Sequence, residues 1–199
     1  FDNLSKTSFA LVNKDDRRWA IMLQNCAGKH QTFALKSMAD FRGRLIANTF
    51  EGLQMEIDGT ETWFQLIGDF NAYNLLGVYA TAVLMDEDKN EVLTALSALK
   101  PARGRFELVV LKGNIRCVVD YAHTPDALKN VLETIQDIRE AGERIITVVG
   151  CGGNRDKTKR PKMAQIAARM SEKVVLTSDN PRSEHPREIL RDMEAGLDI

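Results

Sequence analysis

Three short stretches of the chain concentrate residue types that bind charge. Asp120-Tyr121-Ala122-His123-Thr124-Pro125-Asp126 sets a carboxylate at the end of an apolar run, then a threonine able to cap a helix and a proline suited to its first turn. A carboxylate there can accept hydroxyl hydrogens, which suits a ribose. Taken alone, the spacing reads first as a turn cap, with His123 a solvated loop histidine. Gly150-Cys151-Gly152-Gly153-Asn154-Arg155-Asp156-Lys157 sets glycines beside Arg155 and Lys157, with Lys159 and Arg160 just beyond. Glycines permit close backbone approach and the cations attract anions, so the stretch is either a carboxylate or phosphate site or a solvated basic loop. Ser178-Asp179-Asn180-Pro181-Arg182 joins an acid, an amide and a guanidinium. Arg182 can pair with a carboxylate through its planar fork while Asp179 or Asn180 takes an ammonium, a pattern that reads an amino acid. Without a ligand, Asn180-Pro181 is a simple turn. Convergence of the three loops favours a binding role.

Other chemistries are disfavoured by the same residues. The glycine stretch is not a dinucleotide fingerprint, because its third glycine position falls on Arg155, and it is not a Walker loop, because no Gly-Lys-Ser/Thr follows. His30, His123 and His185 show no metal-ligand spacing, and Cys117 and Cys151 make no Cys-x-x-Cys pair, so no protein metal site is expected. Trp19, Trp63 and Met163, Met170 and Met193 read as packing residues.

The elements that must hold these loops can be read from periodicity. Ile115 to Val119 and Arg144 to Val149 read as strands flanking a helix from Ala127 to Ile138, a βαβ unit. Pro161 to Met170, Lys173 to Thr177 and Pro186 to Met193 continue as helix, strand and helix, which predicts a parallel, helix-covered, doubly wound sheet. In such a sheet, ligands bind beyond the carboxyl ends of the strands, where all three loops lie. The first half has a different rhythm. Phe9 to Val12 and Phe33 to Leu35 are short apolar runs, and Leu53 to Ile57 and Thr62 to Leu66 flank Asp58-Gly59, a hairpin signal. Asn71 to Met85, apolar on most faces, predicts a buried helix, and Lys89 to Leu99 a second helix ended by Pro101. Pro101-Ala102-Arg103-Gly104 is the linker expected between domains spanning 1–100 and 101–199.

Composition narrows the class. The 199 residues include 27 Lys plus Arg against 28 Asp plus Glu, so no global positive field exists to hold nucleic acid or an anionic membrane. No apolar run approaches the ~20 residues that span a bilayer, and no signal peptide opens the chain, so a cytoplasmic protein without membrane insertion is expected. The 3 cysteines are widely spaced, which argues for reduced thiols. Because the chain opens on Phe1 and the apolar face of Ile189, Leu190 and Met193 is followed only by Gly196-Leu197-Asp198-Ile199, a piece of a longer protein is expected.

The three loops in this order, with Lys159-Arg160-Pro161 after the second, resemble the Mur ligase family. Phe70-Asn71-Ala72-Tyr73-Asn74 and Gly104-Arg105-Phe106-Glu107 extend the likeness over nearly the whole chain. The resemblance is to the branch that adds the third residue of the peptidoglycan stem peptide. It implies an α/β fold: the end of a central ATPase domain, then a Rossmann-like C-terminal domain. It also implies ATP-dependent amide-bond formation, with Asn74 approaching adenine, Asp120 the ribose, Arg105 the γ-phosphate and His123 lying by the nucleotide. Arg155, Asp179, Asn180 and Arg182 would bind the incoming amino acid. The Asp-Asn-Pro-Arg sequence resembles enzymes that use meso-diaminopimelate, whose second carboxylate suits an arginine. The second substrate would be a UDP-linked muramoyl dipeptide. The family's phosphate loop, its Mg2+ ligands and its UDP-binding domain would precede Phe1, so the chain alone is expected to be catalytically silent. Alternatives are a lysine-adding or folylpolyglutamate-type ligase, or a stand-alone nucleotide and amino-acid binding module.

Overall fold

In the computed structural model the described residues are 1–113 and 115–197; Asn114, Asp198 and Ile199 lie outside them. Two compact units are formed, Phe1–Ala102 and Arg103–Ile199.

The first unit is built on a five-stranded sheet in the order β1-β2-β3-β4-β5. β1 (Phe9–Asn13), β2 (Lys29–Ala34) and β3 (Phe41–Thr49) run parallel, whereas β4 (Gly52–Ile57) and β5 (Thr60–Phe64) add antiparallel. The Asp58-Gly59 turn closes the expected hairpin, with φ of 47° and 83° at its two residues and Ile57 opposite Thr60. Strand β3 was not legible from periodicity. Its burial alternates through Phe41, Arg42, Gly43 and Arg44, then the register shifts between Leu45 and Ala47. A short helix α1 (Trp19–Leu23) also went unread.

Helix α2 (Asp69–Leu84) packs on this sheet through Ala72, Leu75, Leu76, Tyr79 and Ala80, against Leu53, Met55, Ile57 and Phe64. This is the buried helix that the sequence predicts; its outer side shows Asn74 and Val78, the latter 54% exposed. Helix α3 (Lys89–Ser97) closes the core with Leu93 and Leu96, its N-terminus capped by Asp88.

The second unit opens with a hairpin that the sequence reading missed. β6 (Glu107–Leu111) pairs antiparallel with β7 (Ile115–Val119), so β7 has an antiparallel neighbour instead of the expected βαβ partner. Among the described residues the parallel ladder is β8 (Ile146–Cys151) with β9 (Lys173–Ser178). Helix α4 (Pro125–Ile138) begins on the Thr124 cap with proline in its first turn, as its sequence predicts. With α5 (Lys159–Met170) and α6 (Pro186–Glu194) it encloses one core of Leu128, Leu132, Val149, Met163, Ala164, Ala167, Ile189 and Met193. The inward residues of β8 face that core, while Ile146 and Val148 are exposed on the opposite face. The described helices thus share one core on one face of this ladder.

Candidate functional site

The loops that follow β8 and β9 are tied to each other by backbone and side chain. Gly153 N–H donates to the Asn180 carbonyl at 2.9 Å, and Arg182 Nη1 donates to the Gly153 carbonyl at 2.7 Å. Arg182 Nη1 therefore already engages its own chain, and its backbone sits at φ 50°, steadied by its N–H to Asn180 Oδ1 at 3.2 Å. Asn154 Oδ1 receives both the N–H and the hydroxyl of Ser183. A Cβ on Gly153 would lie 1.9 Å from the Pro181 carbonyl oxygen. The close backbone approach that this glycine permits is thus to the other loop. Asp179 and Asn180 are exposed on the same latched loop.

The four cations of the glycine stretch separate in the structure. Arg155 is exposed and has no hydrogen-bond or ion-pair partner among the described residues. Lys157 pairs with Glu184 at 3.3 Å, and Lys159 Nζ donates to the His123 carbonyl at 2.7 Å, tying the first loop to the second. Arg160 is fully buried. Its guanidinium donates to both oxygens of Glu184, to Asp192 and to the Gly152 carbonyl. The expectation that Arg160 contributes to an anion-attracting loop is corrected: two carboxylates already neutralise it. Sequence reasoning missed Glu184 for the same reason that it misread Arg160. The partners lie 24 and 32 residues away in sequence, and no local periodicity reports such a contact.

At the other loop, Asp120 Oδ2 accepts the Phe106 N–H at 2.8 Å, and Tyr121 N–H donates to the Gly104 carbonyl at 2.8 Å. These bonds hold the Gly104–Phe106 turn, which carries Arg105, against the end of β7. The Arg105 guanidinium lies 5.2 Å from the Tyr121 ring centroid, and that ring lies 5.1 Å from the His123 ring. Arg105, Tyr121 and His123 are all exposed, so a cation, a phenol and an imidazole are presented together to solvent. Tyr121 was not singled out from the sequence; its place between Arg105 and His123 exists only after the turn folds back. Asn74 belongs to the first unit, exposed on α2 with its amide donating to Asn71 Oδ1 at 3.2 Å.

The thiol nearest these loops is not reactive. Cys151 is buried with Sγ 3.8 Å from Met163 Sδ, and burial pushes its pKa up. Among the described residues no group of three or more His, Cys, Asp or Glu is placed to hold a metal ion. Among the described residues no helix is long and apolar enough to cross a membrane.

What this geometry offers is a rim beyond the carboxyl ends of the parallel strands β8 and β9, carrying a guanidinium unpaired among the described residues and an exposed acid and amide, and, at the end of β7, a contiguous Arg-Tyr-His group. Comparison with known proteins gives the same two-part division. Residues 1–82 match the Mur ligase middle domain and residues 104–199 match the Mur ligase glutamate ligase domain. A UDP-N-acetylmuramoyl-L-alanyl-D-glutamate–2,6-diaminopimelate ligase of Cytophaga hutchinsonii is 59% identical over all of this chain, which covers 41% of that protein. One of the same description from Phocaeicola vulgatus is 51% identical over 99% of this chain and 41% of its own length. The chain thus spans about two fifths of the curated relatives it matches. A solved ligase structure of that description has a TM-score of 0.59 at 33% identity over 96% of this chain and 41% of its own. A folylpolyglutamate synthase from Thermotoga maritima, at a TM-score of 0.72 and 16% identity over 97% of this chain and 46% of its own, shares the fold. By its two domain matches, its fold and its relatives, this chain belongs to the Mur ligase family.

Proposed function

We propose that this chain is part of an ATP-dependent ligase that adds meso-diaminopimelate to a UDP-linked muramoyl dipeptide in peptidoglycan precursor synthesis. The observation that carries the reading is the latch of Arg182 onto Gly153, which gathers Arg155, Asp179 and Arg182 on two joined loops beyond β8 and β9. Two guanidiniums and one carboxylate match an amino acid with two carboxylates to hold and an ammonium to orient. The names of the relatives support the same substrate.

In the proposed reaction a carboxylate oxygen of the dipeptide attacks the γ-phosphorus of ATP and ADP leaves. The amine nitrogen then attacks the acyl carbon, and phosphate leaves as the amide forms and the amine loses its proton. Arg155 and Arg182 would hold the amino acid with its nucleophilic nitrogen exposed, and Asp179 would orient the ammonium. Asp120, Arg105 and His123 would face the nucleotide. Magnesium accompanies ATP in such reactions; among the described residues no cluster of three or more His, Cys, Asp or Glu stands ready for it.

The test uses the full-length protein bearing this chain, with ATP and the UDP-linked dipeptide, comparing phosphate release with meso-diaminopimelate and with lysine. Meso-diaminopimelate is the expected substrate. Arg182→Ala should lower kcat/KM for it roughly tenfold or more, the worth of one charge-assisted hydrogen bond, with a smaller loss for lysine. Equal losses for the two amines would argue against reading of the second carboxylate by Arg182.

A further inference from the structure

A charge sealed inside the second unit has no part in the reaction described above. The Arg160 side chain is 0% exposed, at the start of α5. Nη1 donates to Glu184 Oε2 at 2.9 Å and to Asp192 Oδ2 at 2.7 Å; Nη2 donates to Glu184 Oε1 at 3.0 Å and to the Gly152 carbonyl at 3.1 Å. Only Nε is left without a partner. The acceptors come from three separate segments: the glycine loop, the loop after β9 and helix α6. Glu184 also accepts the backbone N–H of Asn154, the residue before Arg155, and stands two residues after Arg182.

A buried ion pair is a poor device for stability alone, since apolar side chains of similar volume often serve as well or better. Met163, Ile189 and Met193 already pack α5 on α6 without it. What a planar fork with several fixed bonds provides is geometry. Here that geometry links the backbone on the near side of Arg155 to the backbone on the far side of Arg182.

We propose that Arg160 and Glu184 are positioning residues for amino-acid recognition: their buried fork fixes the Gly152–Arg155 segment against the Pro181–Glu184 segment, and so sets the separation of the Arg155 and Arg182 guanidiniums. This rests on the reading of Arg155 and Arg182 as the residues that hold the amino acid. Two carboxylates on one substrate sit at a fixed span, so a shift of one loop by an ångström releases one of them. Lysine cannot replace Arg160, because its single ammonium cannot bond both oxygens of Glu184 while also reaching Asp192 and Gly152.

Glu184→Gln and Arg160→Lys variants of the full-length protein would be compared with wild type in steady-state kinetics. Amide hydrogen exchange at Asn154 would be measured in the same proteins. Expected are a tenfold or greater rise in KM for meso-diaminopimelate, KM for ATP within twofold of wild type, and faster exchange at Asn154, with α5 and β8 amides still protected. Faster exchange at Asn154 without change in the amino-acid KM would overturn the positioning role, as would equal rises in KM for the amino acid and for ATP. Should the wild-type protein not use meso-diaminopimelate, the functional reading fails first. Exchange then decides the coupling alone: unchanged protection of Asn154 in Glu184→Gln overturns it, and lost protection sustains it.

Discussion

Arg182 donates from Nη1 to the carbonyl of Gly153 at 2.7 Å, across 29 residues of sequence. The bond is possible because Gly153 carries no Cβ: one would stand 1.9 Å from the Pro181 carbonyl oxygen. Gly153→Ala should therefore push the two loops apart and destabilise the second unit by about 1–3 kcal/mol, the usual cost of overpacking. Urea denaturation would show a lower midpoint, and an unchanged midpoint would mean that the loops separate freely.

Acid should weaken the fold through identifiable carboxylates. Glu184 is held at about 2, below its ordinary 4.5, first by the Arg160 guanidinium and then by the Asn154 N–H. Glu172 is likewise held at about 2, by Arg139 and the Ile145 N–H. Both values are lower in the folded chain than in the unfolded one, so their contribution is complete above about pH 4.5 and is lost as pH falls toward 2. The thermal midpoint should drop steeply across that window. Glu172→Gln should flatten the drop, and an unaltered slope would exclude Glu172 as a source.

In the first unit, Tyr73 donates its hydroxyl to Asp15 Oδ2 at 3.0 Å, alongside the backbone N–H groups of Leu35 and Lys36. Burial, then the Asp15 carboxylate, pushes Tyr73 up to about 12. Burial alone would raise Asp15, but bonds from Ser37, Lys36, Leu35 and Tyr73 hold it at about 2. Tyr73→Phe should cost about 1.5–3 kcal/mol, the range for a hydrogen bond to a charged group. Chemical denaturation measures it; a loss below a few tenths would mean that water replaces the phenol.

Helix α4 starts on the Thr124 hydroxyl, which accepts the Ala127 N–H at 3.3 Å. Thr124→Ala should remove about 1 kcal/mol, as other cap deletions do. Since the cap adjoins His123, nucleotide affinity of the full-length protein should also be followed. A stability loss with unchanged affinity would show that the cap serves the helix alone.

The sequence alone determined those features whose causes are local. Asp58-Gly59 forms its hairpin because both residues accept positive φ, and Thr124-Pro125 starts α4 because capping is decided within one turn. The loop motifs and their order pointed to the Mur ligase family for a related reason: residue types at a strand end can be read without knowing the sheet. Only the tertiary structure decided the rest. Strand β3 hid its period, because Gly43 puts no side chain on the buried face, where Leu76 of α2 lies 3.2 Å from where a Gly43 Cβ would stand, and because the register shifts between Leu45 and Ala47. Pairing of β7 with β6 rather than in a βαβ unit could not be read from β7, since its alternation permits either neighbour. Arg160 looked like one more loop cation beside Arg155 and Lys157. Its burial between Glu184 and Asp192 was settled by chain brought in from distant sequence, and burial, unlike residue type, is a property of the packed molecule.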